Sequence, residues 1–120
     1  MSGRYAVSLA ARHPERVLAA ASVYGTHLVT EFEDSPHRTA RLARGELYFA
    51  CAEHDDYAPA AMVDGLAAHL RDVGANARVE WYPGVHHGFA FPTRGSAYDR
   101  DAAERHWERL FALFARNLQS

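Results

Sequence analysis

Apolar positions first recur at the spacing of a helix face. Tyr5, Ala6, Leu9 and Ala10 fall within residues 4–13 and Pro14 follows as a stop, so the pattern predicts a helix starting almost at residue 1. Residues 17–24 form a nearly continuous apolar run of Val17, Leu18, Ala19, Ala20, Ala21 and Val23, ending in Tyr24-Gly25-Thr26. Such a run predicts a strand buried on both faces, although its alanine content leaves a helix as the competing assignment. Residues 27–44 are polar, contain Asp34-Ser35-Pro36, and read as a connection with one short helix at its end.

The second strand is expected over residues 46–52, where Leu47, Phe49 and Cys51 alternate with Tyr48, Ala50 and Ala52, so both faces are apolar. Pro59 then opens a helix with the stripe Met62, Val63, Leu66, Leu70 and Val73, and Gly74 ends it. In residues 77–82, Val79 and Trp81 alternate with Arg78 and Glu80. This predicts an outer strand with one polar face, closed by Pro83-Gly84. Asp99 and Asp101 put negative charge at the start of a last helix whose stripe is Ala103, Trp107, Leu110, Phe111, Phe114 and Leu118. Helices alternating with strands make the class α/β, a parallel sheet with right-handed crossovers.

At 120 residues the chain is one modest domain, and 48% hydrophobic content excludes a disordered reading. No apolar run approaches the roughly 20 residues of a membrane span, and no charged start precedes an apolar core as in a secretory signal. The chain therefore reads as soluble and cytoplasmic, with no membrane partner. A formal charge of −2 offers no electrostatic grip on a phosphate backbone, so no nucleic-acid partner is expected. All 13 basic residues are Arg, which base composition explains without a functional cause. The single Cys51 rules out an intrachain disulfide and a cysteine-rich zinc site.

Ligands of parallel sheets meet the loops after the strand carboxyl ends. Two of those loops hold the most reactive residues, His54-Asp55-Asp56 after the second strand and His86-His87-Gly88-Phe89 after the third. A carboxylate that fixes an imidazole is half of a nucleophile–His–acid triad, and the order acid then histidine matches the later part of the α/β-hydrolase order. The same residues also read as solvated loop side chains. A zinc site on His54, Asp55, His86 and His87 lacks any His-x-x-x-His or His-Glu-x-x-His spacing, so no metal or other cofactor is expected. Cys51 lies in an apolar strand, where a thiolate is disfavoured. Trp107, Phe111 and Phe114 read as the core face of the last helix.

Three segments together resemble the carboxyl-terminal half of the dienelactone hydrolase family. They are Ala52-Glu53-His54-Asp55-Asp56-Tyr57-Ala58-Pro59, Tyr82-Pro83-Gly84-Val85-His86-His87-Gly88-Phe89-Ala90, and the stretch from Tyr98-Asp99 to His106-Trp107. Val23-Tyr24-Gly25-Thr26 is similar as well. The resemblance spans nearly the whole chain. It implies half of an α/β-hydrolase fold, about three parallel strands with flanking helices, with the amino-terminal strands and the nucleophile elbow missing from residues 1–120. By the same resemblance Asp55 takes the place of the triad acid and His87 that of the triad histidine, while Asp56 and His86 are neighbours with a weaker claim.

The family's elbow is Gly-x-Cys-x-Gly-Gly, or its Ser equivalent, and Met1-Ser2-Gly3-Arg4-Tyr5 is similar to the residues just after that nucleophile. Met1 would then supply an oxyanion-hole N–H, and Ser2 falls one place too late to attack. Phe89 and Phe91 are candidates for lining an acyl or lactone pocket. Arg94 and Arg38 are candidates for holding a substrate carboxylate. The implied activity is cleavage of a small-molecule ester or lactone by a Cys- or Ser-Asp-His triad, with the isolated chain inactive. The competing expectation is a non-catalytic half-domain that pairs, through the bare edge of its first strand, with itself or with a separate amino-terminal half.

Overall fold

The computed structural model describes residues 2–118. At its centre lies the strand with two apolar faces, β2 (Glu46–His54), in which every residue from Leu47 to Ala52 is buried. It is flanked on one side by β1 (Ala19–Val23) and on the other by β3 (Ala77–His86), both parallel to it. In register, Ala21 pairs with Tyr48 and Phe49 with Val79. Side chains alternate across a pleated strand, so β2 feeds two cores. Leu47, Phe49 and Cys51 pack with Val7 and Ala10 of helix α1 (Gly3–Arg12) and with Val63, Leu66 and Leu70 of α3 (Ala60–Asp72). Tyr48, Ala50 and Ala52 pack with Ala103 and Leu113 of α4 (Arg100–Asn117) on the opposite face. Burial of a side chain such as Phe49 or Leu66 contributes about 1.5–3 kcal/mol.

The connection between β1 and β2 contains the expected short helix, α2 (Pro36–Thr39), continued by a 3₁₀ turn, Ala40–Leu42. Pro59 stands at the N-cap of α3 rather than at its first helical position. The α3 carboxyl end closes with Gly74 N–H donating to the Arg71 carbonyl and Ala75 N–H to the Leu70 carbonyl, at 3.1 and 3.0 Å. Asp99 caps α4 by accepting a 2.9 Å hydrogen bond from Ala102 N–H.

Four further expectations from the pattern require correction. β1 covers five residues, not eight, and is only half-buried apart from Ser22, because among the described residues it has a neighbouring strand on one side only. β3 does not stop at Pro83-Gly84. It continues to His86 through an irregularity in which Ala52↔Tyr82 is followed by His54↔His86. An edge strand tolerates the missing N–H of Pro83, and Gly84, at φ +74°, takes up the bulge. On α1, Tyr5 and Leu9 face outward while Val7, Ala10 and Ala11 are buried. On α4 the buried residues are Ala103, His106 and Leu113, whereas Trp107, Phe111, Phe114 and Leu118 are exposed, Phe111 by 69%. Helical spacing fits either stripe, and contact with the sheet decides between them.

Two buried histidines make stability pH-dependent. His106 donates from Nδ1 to the Ala103 carbonyl at 2.7 Å, and His37 shares a 2.7 Å hydrogen bond with Ser35 Oγ. Burial lowers both below the ordinary imidazole value near 6.5, and at His37 the neighbouring His69 and Arg38 lower it further. The unfolded chain therefore takes up these protons first as pH falls. Their contribution is complete above about pH 6.5 and is lost progressively below it. The urea midpoint is expected to be lower at pH 5.5 than at pH 7.5, and His106→Gln with His37→Gln should flatten that dependence.

Candidate active site

The end of β2 presents the acid. Past His54 the chain turns, with Ala58 N–H donating to the Asp55 carbonyl at 3.2 Å. The Asp55 side chain ties the same turn together: Oδ1 accepts from Tyr57 N–H at 2.9 Å and from Ala58 N–H at 3.2 Å. Its carboxylate is 0% exposed, so these donors replace water.

The end of β3 presents the histidine. Phe89 N–H donates to the His86 carbonyl at 3.1 Å, a four-residue turn with His87 second and Gly88 third. Gly88 sits at φ +90°, which a residue with a Cβ adopts only with strain, and this accounts for the His-Gly order. The turn aims His87 at Asp55, and Nδ1–H donates to Oδ2 at 2.8 Å. With Nδ1 as donor, Nε2 keeps a lone pair and is the basic nitrogen. The imidazole is 20% exposed, enough to meet a ligand.

His87 lies between two cavities. One, of about 520 Å³, is lined by Arg4, Thr26, His27, Tyr57, His87 and Arg94. The other, of about 450 Å³, brings Ser2 and Gly3 at the start of α1 to the same imidazole, beside Ala21 and Val23 of β1. Among the described residues neither Arg4 nor Arg94 has a carboxylate partner, and Arg4 Nε is buried without a hydrogen bond. Two guanidinium groups without a carboxylate partner, beside an imidazole, form a mouth suited to an anionic group.

Asp55, His87 and Arg94 are thus brought to one place. Arg38 is not: it lies beside Arg41 and His69, at a different cavity, and donates to the Glu31 carbonyl. Phe89 is 0% exposed and packs against Tyr24 and Tyr82, so it belongs to the core; Phe91, 51% exposed, stands at the cavity. His54 pairs with Glu53 at 3.0 Å, and its ring lies 5.2 Å from that of His86. Among the described residues no group of three or more His, Cys, Asp and Glu side chains converges to hold a metal ion, and no helix is long and apolar enough to cross a membrane. Burial pushes the Cys51 thiol up to about 12, helped by the charge of Asp55, so it is no nucleophile at neutral pH. Met1 falls outside the described residues.

Arg4, Thr26, His27 and Tyr57 line the site without having been singled out in the sequence. Tyr57, Thr26 and Arg4 all lay inside segments that carry the resemblance, but nothing in those segments marked them as cavity-lining until the strand ends and α1 came together.

Solved structures share this arrangement of elements. A Klebsiella pneumoniae protein assigned as a dienelactone hydrolase superposes with a TM-score of 0.83 at 27% identity, over 94% of this chain and 48% of that one. A dienelactone hydrolase-like promiscuous phosphotriesterase from metagenomic libraries gives 0.72 at 19% identity, over 89% and 45%. An esterase of Thermogutta terrifontis gives 0.63 at 14% identity, over 83% and 42%, a likeness of fold alone. The chain spans about half the length of the solved structures it matches. No curated protein matches it. The model of the dienelactone hydrolase family, whose chemistry is ester hydrolysis, matches residues 1–118, and the chain belongs to that family.

Proposed function

We propose that this chain carries the acid and the base of a nucleophile–His–Asp triad that cleaves a carboxylic ester or lactone, with a Cys or Ser nucleophile supplied from outside these 120 residues. The observation that carries the reading is the 2.8 Å hydrogen bond between a fully buried Asp55 carboxylate and His87, beside a cavity that also reaches the start of α1. In the acylation step His87 Nε2 takes the proton of the attacking hydroxyl or thiol, and the new imidazolium is stabilised by Asp55. The ester C–O bond breaks as that proton passes to the leaving alcohol. Water, deprotonated by the same nitrogen, then releases the acid and restores the nucleophile. Met1 N–H, one residue past the nucleophile in this reading, would face the oxyanion. Arg94 and Arg4 favour a substrate with a carboxylate of its own.

Alone, Asp55 and His87 can give only general-base help to water, about 10²–10⁴-fold. The purified chain is expected to show no burst and no covalent label with an active-site-directed phosphonate. Labelling of Ser2 together with steady aryl-ester turnover would overturn the proposal.

A second reading, a half-domain that acts by association, draws on a different observation. Trp107, Phe111, Phe114 and Leu118 make an exposed apolar stripe on α4, Leu18 is exposed at the entry to β1, and β1 has a partner on one side only among the described residues. A strictly monomeric chain in sedimentation at micromolar concentration counts against it. The frame upstream of the Met1 codon separates the two: an in-frame Gly-x-Cys or Gly-x-Ser belongs to the first, a stop codon to the second.

A further inference from the structure

Tyr24 stands at φ +40°, a backbone conformation that a bulky aromatic residue rarely adopts and that persists only where its surroundings over-determine it. It is the residue directly after β1, and its N–H donates to the Ala50 carbonyl of β2 at 2.7 Å, which holds the distorted strand end against the sheet. The side chain spans from there to the loop after β3. Ring centroids lie 4.8 Å from His87, 5.3 Å from Phe89 and 6.2 Å from Phe91. Glycine or asparagine would meet the backbone requirement more easily, so the ring occupies a place where the main chain disfavours it.

The imidazole needs something that Asp55 alone does not provide. One hydrogen bond at Nδ1 fixes the position of that atom and leaves the ring free to tilt about it, which swings Nε2 away from a reacting proton. Misplacement by about 1 Å can cost about 10²-fold in rate. A second contact on the ring removes that freedom. Tyr57 makes one from the β2 end, at 5.0 Å, but it is 70% exposed and among the described residues has no aromatic partner other than His87. Tyr24 is buried and itself braced by Phe89 and Phe91.

We infer that Tyr24 is a positioning residue for His87, its ring setting the tilt of the imidazole so that Nε2 faces the cavity at the start of α1. The inference rests on the reading of His87 as the base. The ring does this and the phenol does not: burial pushes the hydroxyl up to about 12 against the opposing Arg94 charge, so it stays neutral, and it makes no hydrogen bond among the described residues.

The test is proton NMR of the 120-residue chain, following the low-field His87 Nδ1–H resonance and its exchange with water in the wild type, Tyr24→Phe and Tyr24→Asn. Phe keeps the ring; Asn suits the backbone and lacks it. Tyr24→Phe should retain the resonance at the wild-type exchange rate. Tyr24→Asn should exchange at least about 10-fold faster while melting within a few degrees of the wild type. An unchanged exchange rate in Tyr24→Asn overturns the proposal by itself. So does a large fall in its melting temperature, which would make the ring ordinary core packing. A wild-type chain without the resonance overturns the Asp55–His87 pairing and the inference with it.

Discussion

On the proposed triad, Asp55→Asn is expected to lower kcat for a small aryl ester by about 10⁴-fold in a protein that also supplies the nucleophile, with the fold intact. The reason lies in the two jobs of the carboxylate. Oδ1 accepts from Tyr57 and Ala58 N–H, and Oδ2 accepts from His87 Nδ1–H. An asparagine keeps its oxygen on the two backbone donors and turns its NH₂ toward the imidazole. Nδ1 must then accept, the proton moves to Nε2, and the atom that should take the nucleophile's proton already carries one. Rate is lost through the wrong tautomer while the turn survives. Asp56→Asn, at the exposed neighbour, should leave kcat within about 2-fold. In the isolated chain Asp55→Asn should abolish the low-field His87 Nδ1–H resonance, which checks the tautomer without any turnover.

Phe89→Ala is expected to destabilise the chain by about 3–5 kcal/mol, a fall of about 10–20 °C in melting temperature. Phe89 is completely buried against Tyr24, Tyr82 and His106, with centroids at 5.3, 5.0 and 6.1 Å. Removing the ring leaves a cavity between the loop after β3, the sheet and α4, and those elements cannot all close on it. Phe91→Ala, two residues on and half-exposed, should change stability by no more than about 0.5 kcal/mol. A thermal melt of both variants distinguishes them. If Phe89→Ala melted like the wild type, its ring would be no part of the core.

Three strand ends meet at the candidate site: β2 contributes Asp55 and Tyr57, the turn after β3 contributes His87, and the end of β1 contributes Tyr24 against the imidazole. Pairing parallel strands in register brings their carboxyl ends to one edge, so a motif after each strand becomes a neighbour of the others.

Much of this was legible in the order of residues. Alternation in residues 46–52 marked the central strand, because only a strand between two layers needs apolar side chains at every position. Pro59 and Gly74 bracketed α3 through local backbone chemistry that depends on no distant contact. Asp55 and His87 were recognisable because each sits in a short motif whose neighbours serve the local turn: Tyr57 and Ala58 as donors to the acid, Gly88 as the positive-φ residue behind the base. Those are local requirements, and they leave local marks.

What tertiary structure alone decided concerns faces and neighbours. The stripes through Ala103, His106 and Leu113 and through Trp107, Phe111 and Phe114 share one helical period, and the choice between them depends on where α4 meets the sheet. The two phenylalanines after His87 have the same local character, yet the turn at Gly88 sends one into the core and leaves the other at the cavity. Arg94 and Arg38 were both candidates until folding placed the first beside His87 and the second at a different cavity, and Arg4 became part of the site through the docking of α1. Each depends on contacts between residues far apart in the chain. Periodicity and motif spacing carry no information about such contacts, because both are properties of neighbours along the backbone.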